Sequence, residues 1–141
     1  MKFGIISDLH MEFEPWFFEP DPDVFYLNAG DTHPQMLTRD YFTKLMGPNY
    51  FYVYGNHDYY GGSFKDAEKD VFYKEVNGLK IAGATLWTDI RPDRWYDFRE
   101  YMMDYRCIKG MNYDRYMNAH KTHHDFLFQA VYFLEQRPSK A

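Results

Sequence analysis

The segment Lys2-Phe3-Gly4-Ile5-Ile6-Ser7-Asp8-Leu9-His10 decides the fold prediction, because a short apolar run passes directly into a polar cluster. The pattern recurs twice. Val24–Asn28 leads to Gly30-Asp31, and Tyr50–Tyr54 leads to Gly55-Asn56-His57-Asp58. Short apolar runs bounded by turn residues are typical of buried strands. Three strands that each end at a polar cluster, with a helical segment between the second and third, favour an α/β fold.

The remaining segments predict helices and one hairpin. Asn77-Gly78 lies between two apolar runs, Val71–Val76 and Leu79–Trp87, and this dipeptide is a strong hairpin signal. The predicted helices are Pro34 to Met46, Ser63 to about Asp70, a segment near Trp95 to Met103, and Tyr113 to about Gln136. In the last helix an apolar stripe is predicted to include Met117, Leu127, Val131 and Leu134.

Length and composition predict one folded domain over residues 1–141. The chain is 45% apolar and 26% charged, which argues against disorder. No apolar stretch approaches the length of a membrane span, and Cys107 is the single cysteine, so we expect a cytoplasmic protein without disulfides. The net charge of −5 disfavours nucleic acid as a partner without excluding it. The 21% aromatic content is interpreted as packing rather than as a base-stacking surface.

The polar clusters are expected to converge on a metal site. Asp8 precedes Asp31 by 23 residues, and Asp31 precedes Asn56 by 25, which leaves room for crossovers that return each loop to the same sheet edge. Carboxylate, amide and imidazole groups together suit Mn, Fe or Zn better than calcium. Two divalent ions about 3.5–4 Å apart can clamp a phosphoryl group and activate water. The sequence therefore predicts a phosphate-ester hydrolase.

The three motifs resemble those of calcineurin-like metallophosphoesterases, in which Asp-x-His, Gly-Asp and Gly-Asn-His-Asp occur in this order. The segments Tyr59-Tyr60-Gly61-Gly62-Ser63 and Gly78-Leu79-Lys80-Ile81-Ala82-Gly83-Ala84-Thr85-Leu86-Trp87-Thr88-Asp89 look like those of small bacterial and phage members. The resemblance implies a sandwich of mixed β-sheets flanked by helices, and a substrate that is a phosphate mono- or diester.

The resemblance also implies a role for each motif residue. Asp8 and His10 match ligands of a first metal ion, Asp31 matches a bridging ligand, and Asn56 matches a ligand of a second ion. His57 matches the catalytic residue that contacts the phosphate and protonates the leaving group. Asp58 is expected to orient His57. Hydroxide generated at the metals would be the nucleophile, so no serine or cysteine nucleophile is required.

Two further family motifs are missing from these 141 residues. The family completes its site with a histidine after a later strand and with Gly-His-x-His, and neither occurs in this sequence. We therefore expect a C-terminally truncated, N-terminal portion of the domain with an incomplete second metal site. The alternative to a phosphoesterase is a noncatalytic remnant, or half of a split enzyme, that binds a complementing chain or a second copy of itself.

Three histidines in the last predicted helix are not expected to replace the missing ligands. His120 and His124 are four residues apart and share a helical face, a spacing that can bind a metal. The resemblance places this helix away from the strand ends. We expect His120, His123 and His124 to be surface or partly packed residues.

Overall fold

A parallel three-stranded sheet positions the predicted site. The computed structural model describes residues 1–33 and 38–136. The strands pair in the order β1 (Lys2–Ile6), β2 (Val24–Asn28) and β3 (Tyr50–Tyr52). Both pairings are parallel, and the register aligns Ile6 with Asn28 and Asn28 with Tyr52. The carboxyl ends of all three strands therefore lie side by side at one edge of the sheet, as an α/β fold requires.

The other described elements follow in chain order. They are α1 (Thr38–Met46), β4 (Val71–Val76), β5 (Leu79–Ala84), α2 (Trp95–Tyr101), α3 (Met103–Cys107) and α4 (Tyr113–Gln136). The strands β4 and β5 form the predicted antiparallel hairpin. Its turn residues Asn77 and Gly78 have φ angles of 50° and 81°, the left-handed values that a two-residue type I′ turn requires. The chain thus combines helices with two small sheets.

Two clusters of buried side chains form the core. One lies between the parallel sheet and α1, and it contains Ile6, Tyr26, Phe42 and Met46. The larger cluster is mostly aromatic, and its residues come from the segments that follow β3 and β5, from α2, and from α4 with the loop before it. Its large aromatic members include Tyr59, Phe64, Trp87, Phe98 and Tyr116. Tyr54 is also buried in this cluster, which supports the interpretation of the aromatic residues as packing.

Several element predictions need correction. The predicted helix from Ser63 to Asp70 is only a 3-10 turn at Ala67–Lys69, because Asp66 adopts φ 64° and interrupts any longer helix. The segment near Trp95 forms two helices, α2 and α3, separated by the extended residue Met102. The predicted start of α1 at Pro34 lies outside the described residues.

The buried face of α4 partly matches the predicted stripe, since Met117 packs half-buried against the larger core and Leu127 is half-buried. Val131 is 54% exposed, whereas Tyr116, Ala119, His123 and Ala130 are buried. The side chain of Leu134 lies outside the described part of the chain. Tyr116 and Ala119 belong to the larger core, and His123 is buried where it contacts the backbone of Ala67. Among the described residues, no helix combines the length and apolar character needed to cross a membrane.

Candidate metal centre

The loops that follow β1 and β2 continue to hydrogen bond to each other beyond the strands. The backbone N–H of Asp8 donates to the carbonyl of Gly30 at 3.0 Å, and that of His10 donates to the carbonyl of Asp31 at 2.9 Å. The backbone N–H of His57, after β3, donates to Oδ1 of Asp31 at 2.9 Å. Asp31 follows the central strand and so touches both neighbouring loops. The three polar clusters converge as predicted.

Asp8, His10 and Asp31 form a compact group of potential metal ligands. His10 Nε2 lies 3.7 Å from Asp8 Oδ1 and 3.8 Å from Asp31 Oδ2. One ligand atom from each residue lies within 4.8 Å of the other two. Two carboxylates and an imidazole at this separation suit a divalent transition metal. Ser7 Oγ donates a hydrogen bond to the second oxygen of Asp8, which leaves Oδ1 on the side of His10.

The backbone adopts unusual conformations at all three of these residues. Asp8, His10 and Asp31 have φ angles of 54°, 43° and 54°, in the left-handed region that non-glycine residues rarely occupy. Such conformations cost about 1–3 kcal/mol each and cluster at functional sites. Gly55 makes the close approach of the loops feasible, since a Cβ there would lie 2.1 Å from Asp31 Oδ1. At Gly30, a Cβ would lie 2.2 Å from the backbone nitrogen of Gly55.

Glu12 joins the site, although the sequence analysis did not select it. Its Oε1 lies 3.2 Å from His10 Nδ1 and 3.3 Å from His57 Nδ1. The other oxygen, Oε2, is buried and has no hydrogen-bond partner among the described residues. His10, Glu12 and His57 form a second group whose ligand atoms lie within 4.8 Å of one another. No local pattern selects Glu12, because its contacts form only where the loop after β1, in which Asp8 and His10 have positive φ angles, folds beside the loop after β3.

His57 lies in the site with its ring between two others. The ring centroid is 4.7 Å from that of His10, in an edge-on contact, and 4.3 Å from that of Tyr60, in a stacked contact. Because Nδ1 faces Glu12, Nε2 is the ring atom that remains for contact with a substrate. The position of His57 is compatible with the role that the resemblance implies.

Asp58 occupies a different position from the one expected. Its carboxylate is 2% exposed and accepts four backbone N–H groups, those of Asp31, Thr32, His33 and Gly55, at 2.8–3.0 Å. These bonds use both carboxylate oxygens. Asp58 therefore ties the loop after β2 to the loop after β3, and the carboxylate beside the His57 ring belongs to Glu12. Asp58 is a structural residue of the site in this arrangement.

Asn56 is fixed by a residue from a distant helix. Its Nδ2 donates to Asp104 Oδ1 at 2.7 Å, and Tyr60 donates its hydroxyl to the same oxygen, also at 2.7 Å. Burial and the neighbouring Asp104 carboxylate raise the pKa of the Tyr60 phenol, so Tyr60 stays protonated and remains a donor. Asn56 is thus placed at the site with its amide nitrogen already engaged.

Burial and hydrogen bonding shift the pKa values of His10, Asp31 and Glu12 in opposite directions. Burial lowers the pKa of His10, but the hydrogen bond to Glu12 and the charge of Asp31 outweigh it and raise that pKa above 6.5. Burial raises the pKa of Asp31, and the hydrogen bond from the His57 backbone offsets only part of this effect. The pKa of Glu12 is lowered, because hydrogen bonds from its own backbone N–H and the two histidines outweigh burial. Bound protons would therefore compete with a metal ion at His10 and Asp31.

A cavity of about 590 Å³ adjoins the ligand group. Asp8, Asp31 and Asn56 line it on the side of the parallel sheet, and Trp87 and Phe98 line it on the side of the larger core. Cavities of about 300–1,000 Å³ are typical of small-molecule sites. The ligand group is thus accessible from a space large enough for a phosphate ester.

The three histidines of α4 lie apart from this site. His123 is completely buried, accepts the backbone N–H of Leu86 at Nδ1 and donates from Nε2 to the carbonyl of Ala67. His120 contacts the carbonyl of Trp87, and His124 is exposed beside Asp125. His123 is more deeply packed than expected. None of the three belongs to a metal-ligating group among residues 1–33 and 38–136.

Comparisons with known proteins leave the family of the chain open. No family model matches the chain, and no solved structure matches it. The uncharacterized protein L509 of Acanthamoeba polyphaga mimivirus is 25% identical over 146 residues. The match covers 76% of this chain and 51% of the viral protein, so the chain spans about half the length of this curated relative. The name of that protein states no activity.

Proposed function

We propose that this chain is a metal-dependent phosphoesterase domain that hydrolyses phosphate mono- or diesters. The observation that carries the proposal is the grouping of Asp8, His10 and Asp31 at the aligned ends of two parallel strands, with ligand atoms within 4.8 Å. The strained backbone at all three residues supports a functional rather than a merely structural role.

The donor set fits a pair of divalent ions, with Mn, Fe or Zn favoured. Asp8 and His10 would hold a first ion together with Asp31. Asp31 and Asn56 would hold a second ion, and the amide oxygen of Asn56 would be its ligand atom because the Asn56 nitrogen is engaged by Asp104. The contact of Glu12 with His10 Nδ1 leaves Nε2 available, as in the carboxylate–histidine–metal arrangements of many proteins.

The residues around the ligands supply the rest of the chemistry. When bound, the two ions would supply Lewis acidity to the phosphoryl group and lower the pKa of a water molecule. His57, held by Glu12 at Nδ1 and by Tyr60 on its ring face, would donate a proton from Nε2 to the leaving-group oxygen. Asp58 would keep the two loops at a fixed separation through its four backbone contacts.

The proposed architecture is the N-terminal portion of a calcineurin-like metallophosphoesterase sandwich. The order of the three motifs, each at the end of a strand of one parallel sheet, supports this assignment. The hairpin β4–β5 would belong to the second sheet of the sandwich.

Metal binding and hydrolysis by the full chain test the proposal. Calorimetry should show Mn²⁺ binding, and bis(p-nitrophenyl) phosphate or p-nitrophenyl phosphate should be hydrolysed only with metal present. Asp31→Asn should lower both affinity and turnover by about tenfold or more, because it removes a ligand charge while keeping an acceptor for His57. Asp125→Asn, on an exposed part of α4, is the control. Absence of both metal binding and turnover in the wild type would refute the proposal.

The alternative function, an interaction domain, is favoured by one observation on the edge strand. Ile5 of β1 is 72% exposed, and none of the described strands pairs with the outer edge of β1. Exposed apolar edge strands pair readily with other chains. Under this alternative, light scattering would give a mass above that of a monomer, Ile5→Lys would restore the monomer, and Asp8→Ala would leave the assembly intact. A monomeric wild type would count against it.

A further inference from the structure

Asp104 is a buried carboxylate that the metal-site motifs do not include. It lies in the short helix α3, 48 residues after Asn56, and its side chain faces the same cavity as Asp8 and Asp31. Only 5% of the residue is exposed. A carboxylate this deeply buried needs hydrogen-bond partners, because an isolated buried charge is strongly unfavourable.

The contact with Asn56 determines which end of that amide is free. A carboxylate has no proton to donate, so only the Nδ2 end of Asn56 can face Asp104 Oδ1 at 2.7 Å. The carbonyl oxygen of Asn56, which is the metal-ligating end of the side chain, is therefore left for other contacts. Without Asp104, the amide would be free to rotate by half a turn and present its nitrogen instead.

The same oxygen of Asp104 also controls a contact of His57. Tyr60 donates its hydroxyl to Asp104 Oδ1 at 2.7 Å, while the Tyr60 ring stacks on His57 with 21° between the ring planes. Tyr60 is four residues after Asn56, and both donors converge on one acceptor atom. Asp104 Oδ1 thus holds both Asn56, a candidate metal ligand, and Tyr60, whose ring supports the candidate acid His57.

We propose that Asp104 is the positioning residue of this site: it holds Asn56 so that the amide oxygen is left free to bind a metal ion, and it sets the His57 ring through Tyr60. The inference rests on the proposed metal-dependent function. It assigns α3 a role in the site that a mere connection between α2 and α4 would not have.

Calorimetric titration of the full chain with Mn²⁺ tests whether Asp104 acts on metal binding through Asn56. Asp104→Ala should lower the Mn²⁺ affinity of the site that contains Asn56 by about 10–100-fold. This is the usual effect of removing a residue that orients a metal-ligating side chain. The double variant with Asn56→Ala should bind no more weakly than Asn56→Ala alone, because Asp104 acts through Asn56. Asp125→Ala, the same change on exposed α4, is the control. Additive losses in the double variant would overturn the proposal.

NMR spectra of the metal-free protein test the positioning directly. Asp104→Ala should shift the side-chain amide signals of Asn56 and the ring signals of His57. Tyr60→Phe should shift the ring signals of His57 but leave the Asn56 amide signals unchanged, because it removes only the hydrogen bond between Tyr60 and Asp104. Unchanged signals of both residues, with only a lower unfolding midpoint, would overturn the proposal. If the wild type bound no Mn²⁺, the phosphoesterase proposal would fail, and these spectra would still decide the role of Asp104.

Discussion

Asp58 Oδ2 accepts the backbone N–H of Asp31 at 2.8 Å, across 27 residues of sequence. The bond links the loop after the central strand to the loop after β3. It also points the Asp58 carboxylate away from the cavity and toward the backbone. The geometry of Asp8, His10 and Asp31 therefore depends on a carboxylate that is not itself a proposed metal ligand or a proposed substrate contact.

Asp58→Asn is expected to lower the free energy of unfolding by at least about 2 kcal/mol. The carboxylate serves four buried or half-buried N–H donors, whereas an amide offers one acceptor oxygen and turns its own N–H groups toward the remaining donors. Urea denaturation monitored by tryptophan fluorescence measures the change. Asp93→Asn, whose side chain is exposed, should keep the wild-type midpoint. Equal midpoints for the two variants would contradict the structural role of Asp58.

Glu12→Gln is expected to lower the pKa of His10 and to weaken Mn²⁺ binding by about tenfold or more. The hydrogen bond to Glu12 is one of the interactions that raise the pKa of His10, and the neutral amide would remove its charge. An NMR titration of the His10 ring gives the pKa, and calorimetry gives the affinity. Glu14→Gln changes an exposed residue two positions away and should alter neither. A His10 pKa equal to that of the wild type would exclude this role.

Metal affinity should rise steeply with pH through the range above 6.5. A ligand must lose its proton before it binds a metal, and the pKa values of His10 and Asp31 are both raised from their ordinary 6.5 and 3.8. Protons therefore compete with the ion to higher pH than they would at isolated side chains. Calorimetry in buffers of different ionisation enthalpy would detect the protons released on Mn²⁺ binding. Constant affinity between about pH 6 and pH 8 would contradict the involvement of His10.

The buried histidine of α4 should make the fold sensitive to acid. Burial lowers the pKa of His123 below 6.5, and the hydrogen bond to the Ala67 carbonyl offsets only part of this effect. The unfolded chain then binds a proton that the folded chain does not, so stability is lost as the pH falls below 6.5. His10, with its raised pKa, acts in the opposite sense. The informative quantity is thus the difference between the wild type and His123→Gln.

Urea midpoints at several pH values measure that difference. His123→Gln should lose part of the acid sensitivity, because its amide does not titrate. His124→Gln, at an exposed position of the same helix, should retain the wild-type pH profile. Parallel profiles for the wild type and His123→Gln would show that His123 is not the titrating group.

The sequence predicts that the three motifs converge, because the order and direction of the strands determine where their carboxyl ends lie. Once β1, β2 and β3 are parallel and adjacent, residues that follow their carboxyl ends must meet, whatever the details of the loops. The hairpin was predictable for a similar local reason, since Asn77 and Gly78 tolerate the φ angles that its turn needs. These predictions depend on backbone geometry alone.

The roles of Glu12, Asp58 and Asp104 depend on tertiary contacts that local patterns do not contain. Glu12 reaches two histidines only because the loop after β1 folds beside the loop after β3. Asp104 lies in a segment whose helices could not be delimited from sequence, and its partner is 48 residues away. The resemblance implies that Asp58 orients His57, whereas the Asp58 carboxylate accepts four backbone N–H groups of the two loops instead.

The alignment of Ile6, Asn28 and Tyr52 has a consequence for how the chain folds. A slip of β2 by one residue would displace Asp31 by about 3.3 Å along the sheet and turn every side chain of the strand to the opposite face. An ion shared by Asp8, His10 and Asp31 could then no longer be held by all three. Metal binding would therefore stabilise the native strand alignment relative to alignments shifted by one residue. The proposed ion would then favour correct folding in addition to its role in hydrolysis.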